Sequence, residues 1–132
     1  MKKPLAALAA ACIAAASLIA LAPTASAAGC VTTGITTGMQ GPGTVAYKAN
    51  SGCSDLNLTW AGSTDGVYGY DYYAGFYKNA SGLWTVGSRG YFQVNDGSYA
   101  VDQVILVSDL TPGRAFSVAS WYDGGDYVQI TH

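Results

Sequence analysis

Between residues 53 and 131 the chain repeats one pattern: a short run of β-branched and aromatic residues, then a cluster rich in Gly, Asn, Asp, Ser or Pro. The runs have the length of strands, and the clusters contain residues that tolerate positive φ or preset a turn. No interval between them has the apolar spacing of an amphipathic helix. The pattern therefore predicts an all-β chain. The turn clusters are residues 61–66, 79–82, 95–97, 111–113 and 123–126.

Residues 1–27 have the composition of a secretory signal peptide. Two lysines precede an apolar run at residues 5–21, and small residues at 25–27 offer a cleavage site. The run is too short and too rich in Ala to favour a transmembrane span. We therefore expect a secreted, extracellular bacterial protein. The about 105 residues after cleavage suffice for one domain, with a Gly/Thr-rich N-terminal arm at 28–41, loop or weak edge strand, and a β-sandwich at 42–132.

Two cysteines, Cys30 and Cys53, remain after cleavage. An even pair in an exported chain predicts one disulfide, because the compartment outside the cell is oxidising. The sequence leaves one alternative open, since Ala27-Ala28-Gly29-Cys30 has the small-small-Cys form of a lipoprotein processing site. Lipidation would anchor Cys30 to a membrane and leave Cys53 unpaired. We expect no membrane partner otherwise.

Charge argues against nucleic acid as a partner. Without Lys2 and Lys3, four basic residues stand against eight aspartates and no glutamate, so the net charge is four minus eight, or −4. Phosphate binding needs clustered Lys and Arg. The four basic residues are instead scattered singly, at Lys48, Lys78, Arg89 and Arg114.

The sequence has few residues that could act as a catalytic acid, base or nucleophile. His132 is the single histidine and the last residue, where a chain end is expected to fray. The aspartates fall mostly in turn sequences, which explains them without a paired-carboxylate mechanism. A thiol nucleophile is lost if the two cysteines are bridged. We therefore expect no enzyme, no catalytic residue and no cofactor.

Asp123-Gly124-Gly125-Asp126 could supply oxygen ligands for calcium together with Asp65 or Asp96 from neighbouring loops. No spacing matches a dedicated calcium loop such as the EF-hand. A two-glycine turn flanked by solvated aspartates explains the segment more simply. The sequence therefore predicts no metal site.

Alternation along each run assigns side chains to two faces. In the run at 68–77, Asp71 marks one face as solvent-exposed, which places Tyr73 and Tyr77 outside with it. The predicted core therefore takes the opposite face of that run and one face of the neighbouring runs. Its members are Trp60, Tyr70, Tyr72, Phe76, Phe116 and Val118.

Three segments together resemble a fibronectin type III domain over roughly residues 42–131. They are Leu56-x-Leu58-x-Trp60, Tyr70-x-Tyr72 and Leu110-x-Pro112-Gly113-x-x-Phe116-x-Val118. The resemblance implies a two-sheet antiparallel β-sandwich of the fibronectin III/immunoglobulin kind, with the third, sixth and seventh strands in one sheet. The span from Trp84 to Leu110 is longer than usual, and Asn95-Asp96-Gly97 predicts an additional hairpin or a lengthened edge there.

If the resemblance holds, the outward face of that sheet carries a cluster of exposed aromatic residues, a feature that often marks an interaction site. The hypothesis is a non-catalytic module that binds an extracellular polysaccharide or another protein. Three alternatives stay open: rings that pack on each other, a self-associating surface or matrix protein, and an inhibitor of an extracellular hydrolase acting through loops 88–90 or 111–114. The predicted ligand-binding residues are Tyr73, Tyr77, Trp84, Trp121 and Tyr127.

Overall fold

The computed structural model describes residues 29–64 and 67–132. The signal peptide predicted at 1–27 lies outside the described residues. Within them, strands are the regular secondary structure, and no helix is long and apolar enough to cross a membrane. The strands are β1 Thr32–Thr36, β2 Gly38–Met39, β3 Ala46–Tyr47, β4 Leu56–Gly62, β5 Tyr70–Lys78, β6 Trp84–Val86, β7 Phe92–Asn95, β8 Gly97–Ser98, β9 Ile105–Val107, β10 Ala115–Ser120 and β11 Tyr127–Thr131.

The strands form two sheets, which confirms the predicted all-β, sandwich-like fold. The first sheet has the order β1-β11-β4-β8, and β9 also pairs with β4. The second sheet has the order β2-β10-β5-β6, with β3 on β10 and β7 on β5. Pairing is antiparallel except between β2 and β10.

The core lies between the two sheets. Alternate apolar residues of β4 and β11 meet those of β5 and β10, and side chains such as Leu58 and Phe116 are fully buried. Burying each such side chain stabilises the fold by roughly 1.5–3 kcal/mol. The predicted core positions Phe116 and Val118 are confirmed.

Trp60 is not a core residue, because a β-bulge reverses the alternation of β4. Ile130 pairs with Leu58 while Gln129 pairs with Trp60, so Thr59 is an extra residue in β4. An extra residue moves every following side chain to the opposite face. Ala61 therefore enters the core, and Trp60 is 37% exposed on the outside of the first sheet.

The predicted faces of β5 are inverted. Asp71 and Tyr73 are buried against the first sheet, and Tyr77 packs partly against the core. Tyr70 and Tyr72, assigned to the core from the sequence, lie on the outer face of the second sheet with Phe76. The Asp71 carboxylate tolerates burial because Oδ1 accepts the backbone N–H groups of Tyr72, at 2.6 Å, Trp121 and Tyr122.

The last strand also departs from the expected topology. β11 lies between β1 and β4 in the first sheet, whereas the fibronectin resemblance placed it beside β10. Residues 95–97 do not close a hairpin, because β7 pairs with β5 and β8 pairs with β4. The chain instead crosses between the sheets at this turn, where Gly97 has a φ of 136° that favours glycine. β7 lengthens the second sheet, and β1 is an edge strand.

The predicted disulfide between Cys30 and Cys53 is present, with Cα atoms 5.3 Å apart. It ties the segment before β1 to the segment before β4. The bond uses the Cys30 sulfur atom that lipidation would modify. A disulfide is typical of a protein that folds in an oxidising compartment such as the extracellular space.

Candidate functional site

Seven aromatic side chains lie on the outer face of the second sheet, which we call the aromatic face. Alternation along β5 turns every second side chain outward, and the segments before β7 and after β10 bring further rings beside them. The members are Tyr68, Tyr70, Tyr72, Phe76, Tyr91, Trp121 and Tyr122.

The rings of the aromatic face contact each other in two groups. In the first, the Tyr122 centroid lies 5.7 Å from that of Tyr72 and 6.4 Å from that of Tyr70, which in turn contacts Tyr68. In the second, the Tyr91 centroid lies 5.0 Å from that of Trp121 and 6.4 Å from that of Phe76. Most pairs are edge-to-face, a geometry that stabilises each pair by about 0.5–1.5 kcal/mol beyond its buried area. The rings therefore hold one another in place.

A shallow depression of about 250 Å³ separates the two groups of rings. Its lining residues are Tyr72, Tyr91, Trp121 and Tyr122. Ala74 and Ala119 pair with each other on the same side of the sheet. Because both residues are small, the surrounding rings rise above them and cover them completely. The sequence thus builds a concave aromatic surface by placing small residues between large ones.

Exposure and charge set what the aromatic face can bind. Tyr68, Trp121 and Tyr122 are 66%, 45% and 52% exposed. The face has five tyrosines, and within the described part of the chain their hydroxyl groups have no hydrogen-bond partner. Burial raises the pKa of Tyr91, so its hydroxyl stays protonated. The surface is therefore largely apolar and offers tyrosine hydroxyl groups as hydrogen-bond donors.

The predicted ligand-binding residues fall into three places. Trp121 lies on the aromatic face. Trp84 lies further along the same side of the sheet, where the Lys78 ammonium is 5.4 Å from its ring centroid. The other three are elsewhere: Tyr73 is fully buried, Tyr77 is directed into the sandwich, and Tyr127 is exposed on the first sheet.

Sequence reasoning placed Tyr70 and Tyr72 in the core because it assumed that the charged residue of β5 marks the solvent side. It assigned Tyr91 and Tyr122 to no site, since they lie in the segments before β7 and after β10. One signal pointed the other way. Gly75 shares a face with Asp71, and a Cβ atom there would meet Val107 Cγ2 at 2.7 Å. A glycine in mid-strand often marks such a close approach between sheets.

A second site lies beneath the aromatic face, where Asp71, Asp123 and Asp126 bring one carboxylate oxygen each within 4.8 Å of the others. We call these three residues the aspartate cluster. Asp71 and Asp126 are almost completely buried. Of the other aspartates considered from the sequence, Asp96 instead accepts hydrogen bonds from Ser63, and Asp65 lies outside the described residues.

Hydrogen bonds fix the aspartate cluster. Asp126 Oδ2 accepts the Tyr73 hydroxyl at 2.9 Å, and Asp126 Oδ1 accepts both the backbone N–H and the hydroxyl of Thr64 at 2.7 Å. Burial, followed by the negative charge of Asp126, raises the pKa of Tyr73, which therefore stays a donor. Burial also raises the pKa of Asp71, against the backbone N–H groups of Tyr122 and Tyr72, which lower it. Three carboxylates held this way form an oxygen-only donor set, which suits a hard cation.

The residues considered for catalysis or inhibition are engaged in structural contacts. His132 is 1% exposed rather than frayed, with Nδ1 accepting the Ala49 N–H at 2.9 Å and Nε2 at 2.9 Å from Thr33 Oγ1. The Arg89 guanidinium stacks on Phe92, 3.6 Å from the ring centroid. Arg114 donates to the Lys78 carbonyl at 3.1 Å. Both arginines make contacts within the fold, and Arg89 is exposed.

No protein-family model, curated protein or solved structure matches this chain. The sandwich-like architecture follows from the strand pairing alone. The aromatic face and the aspartate cluster are therefore interpreted from their own chemistry.

Proposed function

We propose that this protein is a secreted, non-catalytic binding module whose aromatic face binds a neutral extracellular polysaccharide. One observation carries the proposal: the outer face of the second sheet presents seven aromatic rings in two groups on either side of a shallow depression of about 250 Å³. Exposed apolar clusters are unusual on soluble monomers and mark interaction surfaces. The disulfide and the signal-peptide pattern of residues 1–27 support an extracellular location.

The chemistry of the aromatic face suits sugar rings. A pyranose has apolar C–H groups on its faces and hydroxyl groups around its edge, and an aromatic side chain with a polar tip offers the matching arrangement. Trp121 and Tyr122 can stack on such a face, while the free tyrosine hydroxyls meet the sugar hydroxyls at the edge. A depression open on one side accepts a segment of a long chain better than an enclosed cavity does.

Charge favours a neutral polysaccharide over an acidic one. Each of the four basic residues in the described part of the chain is engaged away from the depression. Lys48 donates to the carbonyls of Ala49 and Cys53, and Lys78 lies over Trp84. Both arginines are engaged in the contacts given above. The aspartate cluster adds negative charge beneath the face, which repels anionic ligands.

Sedimentation with insoluble polysaccharides tests the proposal. The protein, produced from the full-length chain with its mature N-terminus read by mass spectrometry, is incubated with cellulose, chitin and bacterial cell-wall material. We expect depletion from solution on at least one matrix, and loss of depletion in a Tyr72→Ala, Trp121→Ala double variant. The matched control is a Tyr47→Ala, Trp60→Ala double variant, which removes the same two ring types from exposed positions outside the aromatic face.

The control variant is expected to sediment like the wild type. Depletion on no matrix contradicts the proposal, and so does equal loss in both double variants. Circular dichroism spectra of the two double variants establish that both proteins are folded before their sedimentation is compared.

A further inference from the structure

The aspartate cluster brings more negative charge into the interior than the described residues compensate. Asp71 is 1% and Asp126 0% exposed, and one oxygen of each lies within 4.8 Å of an Asp123 oxygen. An unpaired buried carboxylate costs several kcal/mol unless it is neutralised, either by a proton or by a cation. The four basic residues of the described chain are all engaged elsewhere, and His132 is bonded to Thr33 and Ala49.

Two carboxylate oxygens of the cluster are buried without a hydrogen-bond partner among the described residues. They are Asp71 Oδ2 and Asp123 Oδ1. Buried polar atoms are almost always paired, so each such atom indicates a missing partner. Both oxygens belong to one cluster, although Asp71 is on β5 and Asp123 is in the β10–β11 loop.

The aspartate cluster also has fewer hydrogen-bond donors than its carboxylate oxygens can accept. Thr64 Oγ1 lies 2.7 Å from Asp126 Oδ1 and 3.0 Å from Asp123 Oδ2. A hydroxyl has one proton, which serves one of these two carboxylates at a time. An additional positive partner would satisfy the oxygen that Thr64 leaves without a proton.

We propose that Asp71, Asp123 and Asp126 bind one Ca²⁺ ion. Ca²⁺ takes oxygen ligands at about 2.3–2.6 Å, so ligands across its shell stand about 4.6–5.2 Å apart. The carboxylate oxygens, all within 4.8 Å of one another, fit inside that shell. Mg²⁺ binds at about 2.0–2.1 Å and keeps most of its waters, and zinc prefers nitrogen and sulfur ligands.

The ion would join the two segments that build one end of the aromatic face. Asp71 Oδ1 accepts the backbone N–H groups of Trp121, at 3.3 Å, and Tyr122, at 3.2 Å. Asp123 and Asp126 follow these two residues in the same loop. Ca²⁺ therefore orders the β10–β11 loop against the start of β5, whatever the aromatic face binds.

Calorimetric titration with CaCl2 and thermal unfolding test the site on the full chain, stripped of metal with EDTA. We expect one Ca²⁺ per chain. Extracellular calcium modules have Kd values of about 10⁻⁴–10⁻³ M, so about 10 mM CaCl2 would raise the unfolding midpoint by roughly 5–20 °C. MgCl2 at the same concentration should give a much smaller shift.

Asp123→Asn removes one ligand charge from a half-buried position, and we expect it to weaken Ca²⁺ binding about tenfold or more. Asp102→Asn is the matched control: its side chain is exposed, and Asn tolerates its φ of 69°. Tb³⁺ provides an independent readout, because excited tyrosines near the cluster should sensitise its emission and Ca²⁺ should displace it. No binding heat and no midpoint shift in the wild type, or full affinity in Asp123→Asn, would overturn the proposal.

Discussion

Gly75→Ala tests which face of β5 points into the sandwich. A Cβ atom built at Gly75 meets Val107 Cγ2 at 2.7 Å and Leu106 Cβ at 2.9 Å, both on β9 of the opposite sheet. Carbon atoms in contact prefer about 3.5–4.0 Å, so the added methyl group overlaps its neighbours by roughly 1 Å. If β5 had the faces assigned from the sequence, Gly75 would point to solvent with Asp71 and the substitution would be harmless.

The magnitude follows from two opposing effects. Overpacking of a core costs about 1–3 kcal/mol, while replacing glycine by alanine stiffens the unfolded chain and stabilises by about 0.4–1 kcal/mol. The difference between these ranges is about 0–2.6 kcal/mol. Because both contacts of the added Cβ are shorter than 3.0 Å, we expect a net loss in the upper part, about 1–2.5 kcal/mol, which lowers the melting temperature by about 4–8 °C for each kcal/mol.

Urea unfolding followed by circular dichroism measures this loss. Gly62→Ala is the matched control in β4, because its added Cβ meets Trp60 Nε1 at 3.5 Å and the Tyr127 carbonyl at 3.8 Å, ordinary contact distances. Its midpoint should equal or exceed that of the wild type. A Gly75→Ala midpoint at or above the wild-type value would refute the inward orientation of Gly75 and with it the outward orientation of Tyr70 and Tyr72.

Two further predictions concern the disulfide and the C-terminal histidine. The Cys30–Cys53 disulfide closes a separation of 23 residues, so a Cys30→Ser, Cys53→Ser variant should lose about 3 kcal/mol of unfolding free energy; equal urea midpoints with and without a reductant in the wild type would contradict this. Burial, then the charge of Lys48, lowers the pKa of His132 below its ordinary 6.5. As the pH falls, His132 therefore takes up a proton in the unfolded chain before it does so in the folded protein, and the free energy of unfolding decreases below about pH 6.5. If His132→Gln had the same pH dependence of unfolding as the wild type, His132 would not be the group responsible.

The fold class was predictable from the sequence because turn residues and strand runs are local signals. Glycine, proline and aspartate mark each turn through their own backbone preferences, without help from distant residues. Phe116 and Val118 were also placed correctly, because β10 pairs with β5 in a regular register and its side chains alternate as the sequence pattern predicts.

The faces of β4 and β5 were not predictable in this way. The bulge at Thr59 depends on the pairing of β4 with β11, which follows it by many residues. The burial of Asp71 depends on backbone N–H groups of Trp121 and Tyr122, supplied by a loop far along the chain. A rule that charged residues face solvent fails where tertiary structure provides the partners.

The predicted binding site differs from the observed aromatic face because the prediction relied on the assigned faces of the strands. Trp121 was found because it follows a correctly assigned strand, but Tyr73 and Tyr127 were joined to it through an inverted β5 and a misplaced β11. The aspartate cluster was not found, because Asp123 and Asp126 were assigned to a solvated turn and Asp71 to the solvent face of its strand. Asp71 shares no local motif with residues 123–126.

The three tryptophan indole N–H signals in an NMR spectrum give the most direct test of ligand binding at the aromatic face. Trp60 lies on the outside of the first sheet, whereas Trp84 and Trp121 lie at different places on the outer side of the second sheet, and each signal is assigned from a Trp→Phe variant. On titration with a soluble oligosaccharide of the polysaccharide that retains the protein, the Trp121 signal should shift in a saturable manner while that of Trp60 stays in place. A shift at Trp60 with Trp121 unchanged would contradict binding at the aromatic face.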